Sequence, residues 1–429
     1  MTTEPQSPHE LAQALPFSRR LAGAAPSAIR EILKVAEQPD VLSFAGGLPA
    51  PELFPAEALA EASASVLAKD GGPALQYGVT EGHGPLREWV AARLSGLGVP
   101  TRADDILITH GSQQGIDLVA RAFLDPGDRV VVEDPTYLAA LQAFSLCEAV
   151  PVAVASDEDG LCTDALDGLD ADPSAEPPSL LYVVPTFQNP TGRTLSAARR
   201  RDLVRWAAKR GVPVLADEPY ADIRFAGSAL PSVASFDPDL VIQLGTFSKT
   251  LAPGLRIGWV RAAEPIRRRL TTLKQAADLH TSTLNQRVVA KLLETFDFDG
   301  HLARVQSMYG ARHAAMDRAL TRSMPAGVSW TRPSGGLFVW LSLPPGVGDL
   351  DVFRAAIARK VAVVPGGPFF VSPPRRGHLR LSFGNRSEAL IESGIATLGE
   401  VVSELASQRA GEPTPASSRP SRPSLSSPP

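Results

Sequence analysis

GVPVLADEPY (211–220) and, twenty residues on, DLVIQLGTFSK (239–249) decide the fold. In each, a short apolar run without alternation, Val212–Ala216 and then Val241–Leu244, breaks into polar residues: Asp217 and Tyr220 in the first, Lys249 in the second. Upstream the pattern recurs. Val130–Val132 leads to EDPTY with Tyr137, and Leu180–Val184 leads to PTFQNPTG with Asn189. Runs of this length, rich in Val, Ile and Leu, bounded by turn formers and not alternating, read as strands buried on both faces of a parallel sheet. Helical patterns lie between and before them. Ala197–Lys209 is one; Leu86, Trp89, Val90 and Leu94 fall at i, i+3, i+4 and i+8, and Ile116, Val119, Ala120 and Phe123 at i, i+3, i+4 and i+7. Alternation of this kind predicts an α/β fold, a large helix–sheet–helix domain over residues 51–305. Beyond it, apolar stretches at Gly336–Leu343, Val361–Val364 and Leu379–Phe383 predict a smaller α+β domain over 306–407, completed by residues 17–50. The ends, 1–16 and the Pro/Ser-rich 408–429, hold too little apolar surface to offset ordering entropy and are expected to be disordered tails.

Composition narrows the function classes. The chain has 429 residues, 44% hydrophobic and 21% charged, with a net charge of -4, which leaves no basic footprint for nucleic acid. Its two cysteines, Cys147 and Cys162, lack metal-ligand spacing and make no disulfide framework, so no metal is expected and a reducing compartment is. The N-terminal MTTEPQSPHE is no secretory signal, and no run approaches the ~18 apolar residues of a membrane span. A soluble, cytoplasmic protein without membrane or nucleic-acid partners is the expectation.

The strand-end residues carry the chemistry. Ligands of open parallel sheets bind outside the carboxyl ends of the strands, so Tyr137, Asn189, Asp217, Tyr220 and Lys249 should meet in one cleft. A lysine after a strand means little alone; with an aspartate at the end of the neighbouring run it means more. An aldehyde cofactor needs an amine for a Schiff base, which Lys249 supplies, and a carboxylate to keep its ring nitrogen protonated, which Asp217 supplies. Freed from the cofactor, Lys249 can move the substrate's Cα proton, provided its neighbours depress its pKa. Tyr220 and Asn189 suit the cofactor's phenolic oxygen, and Tyr137 suits its ring face. HGSQQG (110–115) opens a helix, where backbone N–H groups with Ser112 and Gln113 make an anion site; Thr246, Ser248 and Arg256 add hydroxyls and a charge for a phosphate. Arg380, in GHLRLSFGN, is an arginine inside an apolar strand pattern, costly unless a substrate carboxylate pairs it.

These segments resemble the class I/II aminotransferases, pyridoxal 5'-phosphate (PLP) enzymes of fold type I, over roughly residues 18–405. SAIREIL (27–33), SFAGGLPAPELFP (43–55), ALQYGVTEGHGPLR (74–87), ITHGSQQGIDL (108–118), PTFQNPTG (185–192), ADEPY (216–220), LGTFSKTLAPGLRIGW (244–259), SGGLFVWL (334–341) and VPGGPFF (364–370) carry the resemblance. Within that superfamily the sequence is similar to the 2-aminoadipate/aromatic aminotransferase group. The resemblance implies a mainly parallel seven-stranded sheet and a homodimer with shared active sites. It implies that Tyr77 reaches the neighbouring subunit's phosphate and that Lys274–Thr283 lies near the same interface. It further implies that Gly47 and Asn189 assist Arg380 in holding the substrate carboxylate, and that Arg30 can meet an acidic substrate side chain. His83 stands where an aromatic is common, and Thr246 where serine is; the hydroxyl is kept.

The expected function is therefore PLP-dependent amino transfer between an L-amino acid and a 2-oxo acid, in two half-reactions, with glutamate/2-oxoglutarate as one pair. Fold alone does not fix which Cα bond breaks, so another PLP reaction (elimination, decarboxylation, a step of specialised metabolism) is the alternative. A cofactor-sensing regulator is a further one, disfavoured because no helix-turn-helix pattern or basic run precedes the match.

Overall fold

The computed structural model describes residues 17–22, 38, 40–170, 176–371, 375 and 377–410. The tail expectations for 1–16 and for 411–429 lie outside these residues, as does Arg30. The last helix, Glu388–Ala410, continues past Gln408, where the sequence reading begins its C-terminal tail. The expected boundary between residues 305 and 306 falls inside one continuous helix, Phe298–Ser323.

In chain order, β1 is Leu42–Ser43. Eight strands then make the large sheet: β2 (Ile106–Thr109), β3 (Arg129–Asp134), β4 (Val150–Asp157), β5 (Gly160–Leu161), β6 (Leu180–Val183), β7 (Val214–Asp217), β8 (Val241–Thr246) and β9 (Gly258–Arg261). Their spatial order is β2-β9-β8-β7-β6-β3-β4-β5. The inner ladders β8·β7, β7·β6, β6·β3 and β3·β4 are parallel, while β9 runs antiparallel to both its neighbours. The seven expected strands are therefore joined by an eighth, the two-residue β5, which folds back on β4 as an edge. Every residue of β6, β7 and β8 is buried, as the unalternating apolar runs require. Helix Ala197–Arg210 begins where Ser196 caps the Arg199 amide and ends at Gly211, left-handed at φ 67°.

The remaining strands are β10 (Ser329–Trp330), β11 (Phe338–Ser342), β12 (Val361–Ala362), β13 (Val364–Pro365) and β14 (His378–Ser382). They form a four-stranded sheet, β10-β11-β14-β13, and a small parallel pair, β1·β12. The single strand expected at Val361–Val364 is thus two. β12 pairs with β1, and β13, carrying Pro365 without an N–H to donate, joins the edge of the other sheet. The strand expected from Gly336 starts later, at Phe338, because Gly336 holds φ +74°, outside the β region. Arg380 sits on an inner strand, so an edge arginine facing solvent is excluded. Among the described residues no helix is long and apolar enough to cross a membrane.

Candidate active site

The strands β3, β6, β7 and β8 end together, and the cleft beyond them is lined by Ser112, Gln113, Tyr137, Val184, Asn189, Asp217, Pro219, Tyr220, Thr246, Ser248, Lys249, Pro253 and Arg256. Every residue expected around the cofactor lines it except Tyr77, which is 77% exposed and stacks edge-on against His280. The alternation of a strand explains why Asp217 enters the cleft while Glu218 turns away: successive side chains take opposite faces. Glu218 lies instead 3.8 Å from the buried Arg200.

Asp217 is buried, its Oδ2 accepting from the Tyr182 hydroxyl at 3.1 Å. Its Oδ1 has no hydrogen-bond partner among the described residues. Burial pushes its pKa up to about 7; the Tyr182 hydrogen bond opposes the rise and the Glu218 charge adds to it. Across the cleft, Lys249 Nζ donates to the Gly47 carbonyl at 2.9 Å. Desolvation, followed by the charges of Arg380 and Arg256, brings that amine down to about 8. The Tyr220 hydroxyl faces Asn189, and burial raises its pKa well above the usual phenol value. Tyr137 is pushed up to about 12, again mainly by burial.

At the far end the donors gather. Ser112 starts the helix Ser112–Phe123 after Gly111, where glycine is needed on two counts: its φ is +75°, and a Cβ there would stand 2.6 Å from an Arg256 guanidinium nitrogen. Arg256 is itself left-handed, at φ 52°, and donates to the His110 and Pro253 carbonyls. Thr246 Oγ1 lies 3.0 Å from Ser248 Oγ and accepts from the Ser248 amide at 3.1 Å. Two hydroxyls, a helix start and a guanidinium thus surround one spot, a donor set suited to a phosphate.

Arg380 closes the other side. It is 5% exposed, its guanidinium donating to Asn189 Oδ1 at 2.9 Å and to the Ala45 carbonyl at 2.6 Å, with Phe338 and Phe369 ring centroids 4.4 and 5.2 Å from its Cζ. Its Nε is buried and unpartnered, and it forms no ion pair with a carboxylate among the described residues; burial lowers its pKa to about 10. Gly47 joins the cluster through its carbonyl, and a side chain there would strike the Phe338 ring at 2.6 Å.

Several further residues lie outside the lining of the cleft. Lys274 is fully buried and tied to Asp278 at 2.8 Å and Gln114 at 3.0 Å, so its own fold holds it. His83 is partly buried, its backbone N–H donating to Gln286 Oε1 at 2.7 Å. Cys147 and Cys162 are both free. The sequence reading missed three buried groups behind the cleft. Tyr182 sits in the middle of the apolar run of β6. Glu133 accepts the Val184 amide at 2.8 Å and is raised by burial to about 8. Arg200 donates to the carbonyls of Pro185, which opens PTFQNPTG, and of Leu195, three residues beyond it. Tyr182 stands among apolar strand residues, Glu133 adjoins Asp134 and Arg200 lies in a run of arginines, so no local pattern singled them out.

A parallel sheet with a lysine and an unpaired aspartate oxygen facing one cleft, and an anion cradle at its end, defines a fold type I transferase that works through a bound aldehyde cofactor. The chain belongs to the aminotransferase class I and II family, whose model matches residues 39–398. It is 42% identical over 395 residues to aromatic-amino-acid aminotransferase 1 of Thermococcus litoralis, spanning 90% of this chain and 94% of that one. It is 43% identical over 383 residues to 2-aminoadipate transaminase of Thermus thermophilus, spanning 88% and 94%. Among solved structures, the α-aminoadipate aminotransferase of Thermus thermophilus, complexed with N-(5'-phosphopyridoxyl)-L-leucine, superposes with a TM-score of 0.86 at 41% identity, covering 93% of this chain and 99% of that one. The protein is a PLP-dependent aminotransferase that moves an amino group between an amino acid and a 2-oxo acid. Its cleft fits PLP: a buried carboxylate oxygen without a partner for the protonated ring nitrogen, hydroxyls and a guanidinium for the phosphate, and an amine for the aldehyde.

Proposed function

We propose that the cleft performs amino transfer with Lys249 as the covalent anchor and proton carrier, Asp217 at the ring nitrogen, and Arg380 as the anchor for the substrate carboxylate. The observation that carries this reading is one cleft with Lys249 and Asp217 on its walls, Arg380 bonded to its Asn189 and the Thr246–Ser248–Arg256 cradle at its end. When bound, PLP supplies an aldehyde that links to an amine and a charged ring that withdraws electrons from the substrate Cα. Ser112, Thr246, Ser248 and Arg256 hold its phosphate, with Gln113 beside them. Tyr220 and Asn189 serve its phenolic oxygen and Tyr137 its ring face. Asp217 keeps a proton on the ring nitrogen. Arg380, with Asn189 and the Gly47 backbone, orients the substrate so that its Cα proton stands within reach of Lys249 Nζ. That amine, depressed by desolvation and then by the charges of Arg380 and Arg256, accepts the proton near neutral pH and returns it on the far side of the transfer.

The second subunit completes the site. Leu75, Tyr77, Val79 and Leu279 are all at least 47% exposed in the single chain, an apolar group fit for a homodimer interface in which Tyr77 serves the partner's phosphate. The enzyme acts in the cytoplasm. Glutamate and 2-oxoglutarate form one substrate pair; the other amino donor is 2-aminoadipate or an aromatic amino acid, as the names of its relatives suggest. A panel of amino acids with 2-oxoglutarate, followed by glutamate formation, tests this. Turnover of 2-aminoadipate or an aromatic donor at least tenfold above alanine supports the assignment; no glutamate from any donor rejects it.

A further inference from the structure

We propose that Tyr182 is a positioning residue for amino transfer: its hydroxyl occupies one oxygen of Asp217, leaves the other free for the cofactor's ring nitrogen, and keeps that nitrogen protonated. The inference rests on the reading that Asp217 meets the ring nitrogen.

The argument starts from the register of two neighbouring strands. Tyr182 of β6 lies opposite Leu215 of β7, and Val183 opposite Ala216. Asp217 is two residues beyond Leu215, hence on the same face as Tyr182, and the long phenol side chain spans the diagonal to reach it. The hydroxyl then donates to Asp217 Oδ2 at 3.1 Å. Tyr182 is completely buried, its ring edge-on to Phe144 at 5.6 Å, in a strand whose other residues are Leu180, Leu181 and Val183. A phenylalanine would fill that space equally well. A buried hydroxyl is costly without a partner, and among the described residues its one side-chain partner is the carboxylate.

What faces Asp217 matters as much as what touches it. Glu218, next in the chain, lies beside Arg200 on the other side of the sheet, while Tyr137 and Tyr220 face the carboxylate within the cleft. Among the described residues no cation bonds to Asp217. Had an arginine held Oδ2, its charge would have cancelled the field that favours a proton on the ring. A phenol gives a hydrogen bond without that cancellation. It stabilises the ionised carboxylate, so the shared proton stays on nitrogen and the ring stays charged. Burial raises the Tyr182 pKa well above 10, so the hydroxyl remains a donor across the working range. With Oδ2 engaged, the unpartnered Oδ1 is the oxygen left for the ring.

The test uses holoenzyme loaded with cofactor labelled with 15N at the ring nitrogen, whose chemical shift at neutral pH reports protonation directly. Four proteins are compared: wild type, Tyr182→Phe, Asp217→Ala and the double variant, with thermal melting as the folding control. The wild-type ring nitrogen should be protonated and that of Asp217→Ala not. Tyr182→Phe should lower the protonated-to-neutral ratio by about tenfold, the size of one hydrogen bond to a charged group. In the Asp217→Ala background the same substitution should change nothing further. Steady-state kinetics should show kcat down by about the same factor with KM for the amino acid nearly unchanged, because Arg380 and Asn189 are intact. A second variant keeps the hydroxyl: 3-fluorotyrosine at position 182, a stronger donor, should move the shift further toward the protonated side. A wild-type shift in Tyr182→Phe while Asp217→Ala loses protonation overturns the inference alone, as does an equal effect of Tyr182→Phe with and without Asp217. Retained protonation in Asp217→Ala would instead overturn the reading of Asp217 and the inference with it.

Discussion

Truncating Arg380 to alanine should separate substrate binding from folding more cleanly than any other change in this protein. The guanidinium is buried, it has no carboxylate partner among the described residues, and its pKa is pulled down by desolvation. Among the described residues the burial of this ion is compensated through Asn189, the Ala45 carbonyl and two aromatic rings. Removing it forfeits those contacts but also relieves the cost of an uncompensated buried charge, so the two effects on stability oppose. The melting temperature of the apoenzyme should move by only a few degrees, about the size of 1 kcal/mol in a domain this large. Substrate binding has no such offset. Truncating one partner of a buried charge pair costs about 2–5 kcal/mol, which is about 30-fold to several thousand-fold in kcat/KM. The assay is amino transfer to 2-oxoglutarate, with the donor half-reaction repeated using an amine that lacks the α-carboxylate. Arg380→Ala should lose the discrimination between the two donors. A KM for the amino acid within threefold of wild type, or an equal loss with the amine, would refute the assignment of Arg380.

Three further outcomes follow from the same geometry. Lys249→Ala should fail to retain the cofactor covalently and lose at least ~10³-fold of turnover, which gel filtration with absorbance and a glutamate assay would read. In the apoenzyme the Lys249 amine should titrate near 8, read from the pH dependence of its reaction with an amine-directed reagent, and Arg380→Ala should move that midpoint upward because a neighbouring positive charge is removed; a midpoint unchanged by Arg380 counts against that coupling. Asp217 has a folded-state pKa raised from 3.8 to about 7, so its stability contribution is fully present below about 4 and lost as pH rises through 7; Asp217→Asn apoenzyme should therefore gain stability over wild type across that window, by an order of 4 kcal/mol at most, and a gap independent of pH in denaturant titrations would contradict it.

How much of this was legible in the sequence depends on whether a residue's role is local. The buried strands announced themselves because a parallel strand covered on both faces is largely apolar without alternation, and β6, β7 and β8 fall within three residues of the expected runs. The cleft was legible for the same reason: Asp217, Lys249, Asn189 and Tyr137 each follow such a run, and a sheet brings strand ends together wherever they occur in the chain. What escaped was set by pairing. β9 is four residues long and antiparallel, and only its neighbours β2 and β8 define it. The split of Val361–Val364 between two sheets follows from β1, a strand more than three hundred residues earlier. Tyr182 reads as one more apolar strand residue until the register places it diagonal to Asp217.

The charges of the site match the groups it is proposed to bind. Lys249, Arg256 and Arg380 surround the cleft, and Asp217 is the one acid among the residues that line it. Each of the three cations donates to backbone carbonyls or an amide rather than to a carboxylate. A fold selected for stability alone would pair or delete them, since an isolated buried charge is destabilising. They are useful because the arriving groups are anions. A phosphate at the Arg256 end and a carboxylate at the Arg380 end supply the missing counter-charges, so binding relieves strain the fold already carries and draws on little new ordering. The same imbalance depresses Lys249, since each neighbouring positive charge disfavours its protonated form. Substrate binding then has a second consequence: the carboxylate that neutralises Arg380 removes part of that depression, raising the basicity of the amine at the stage when it must take the Cα proton.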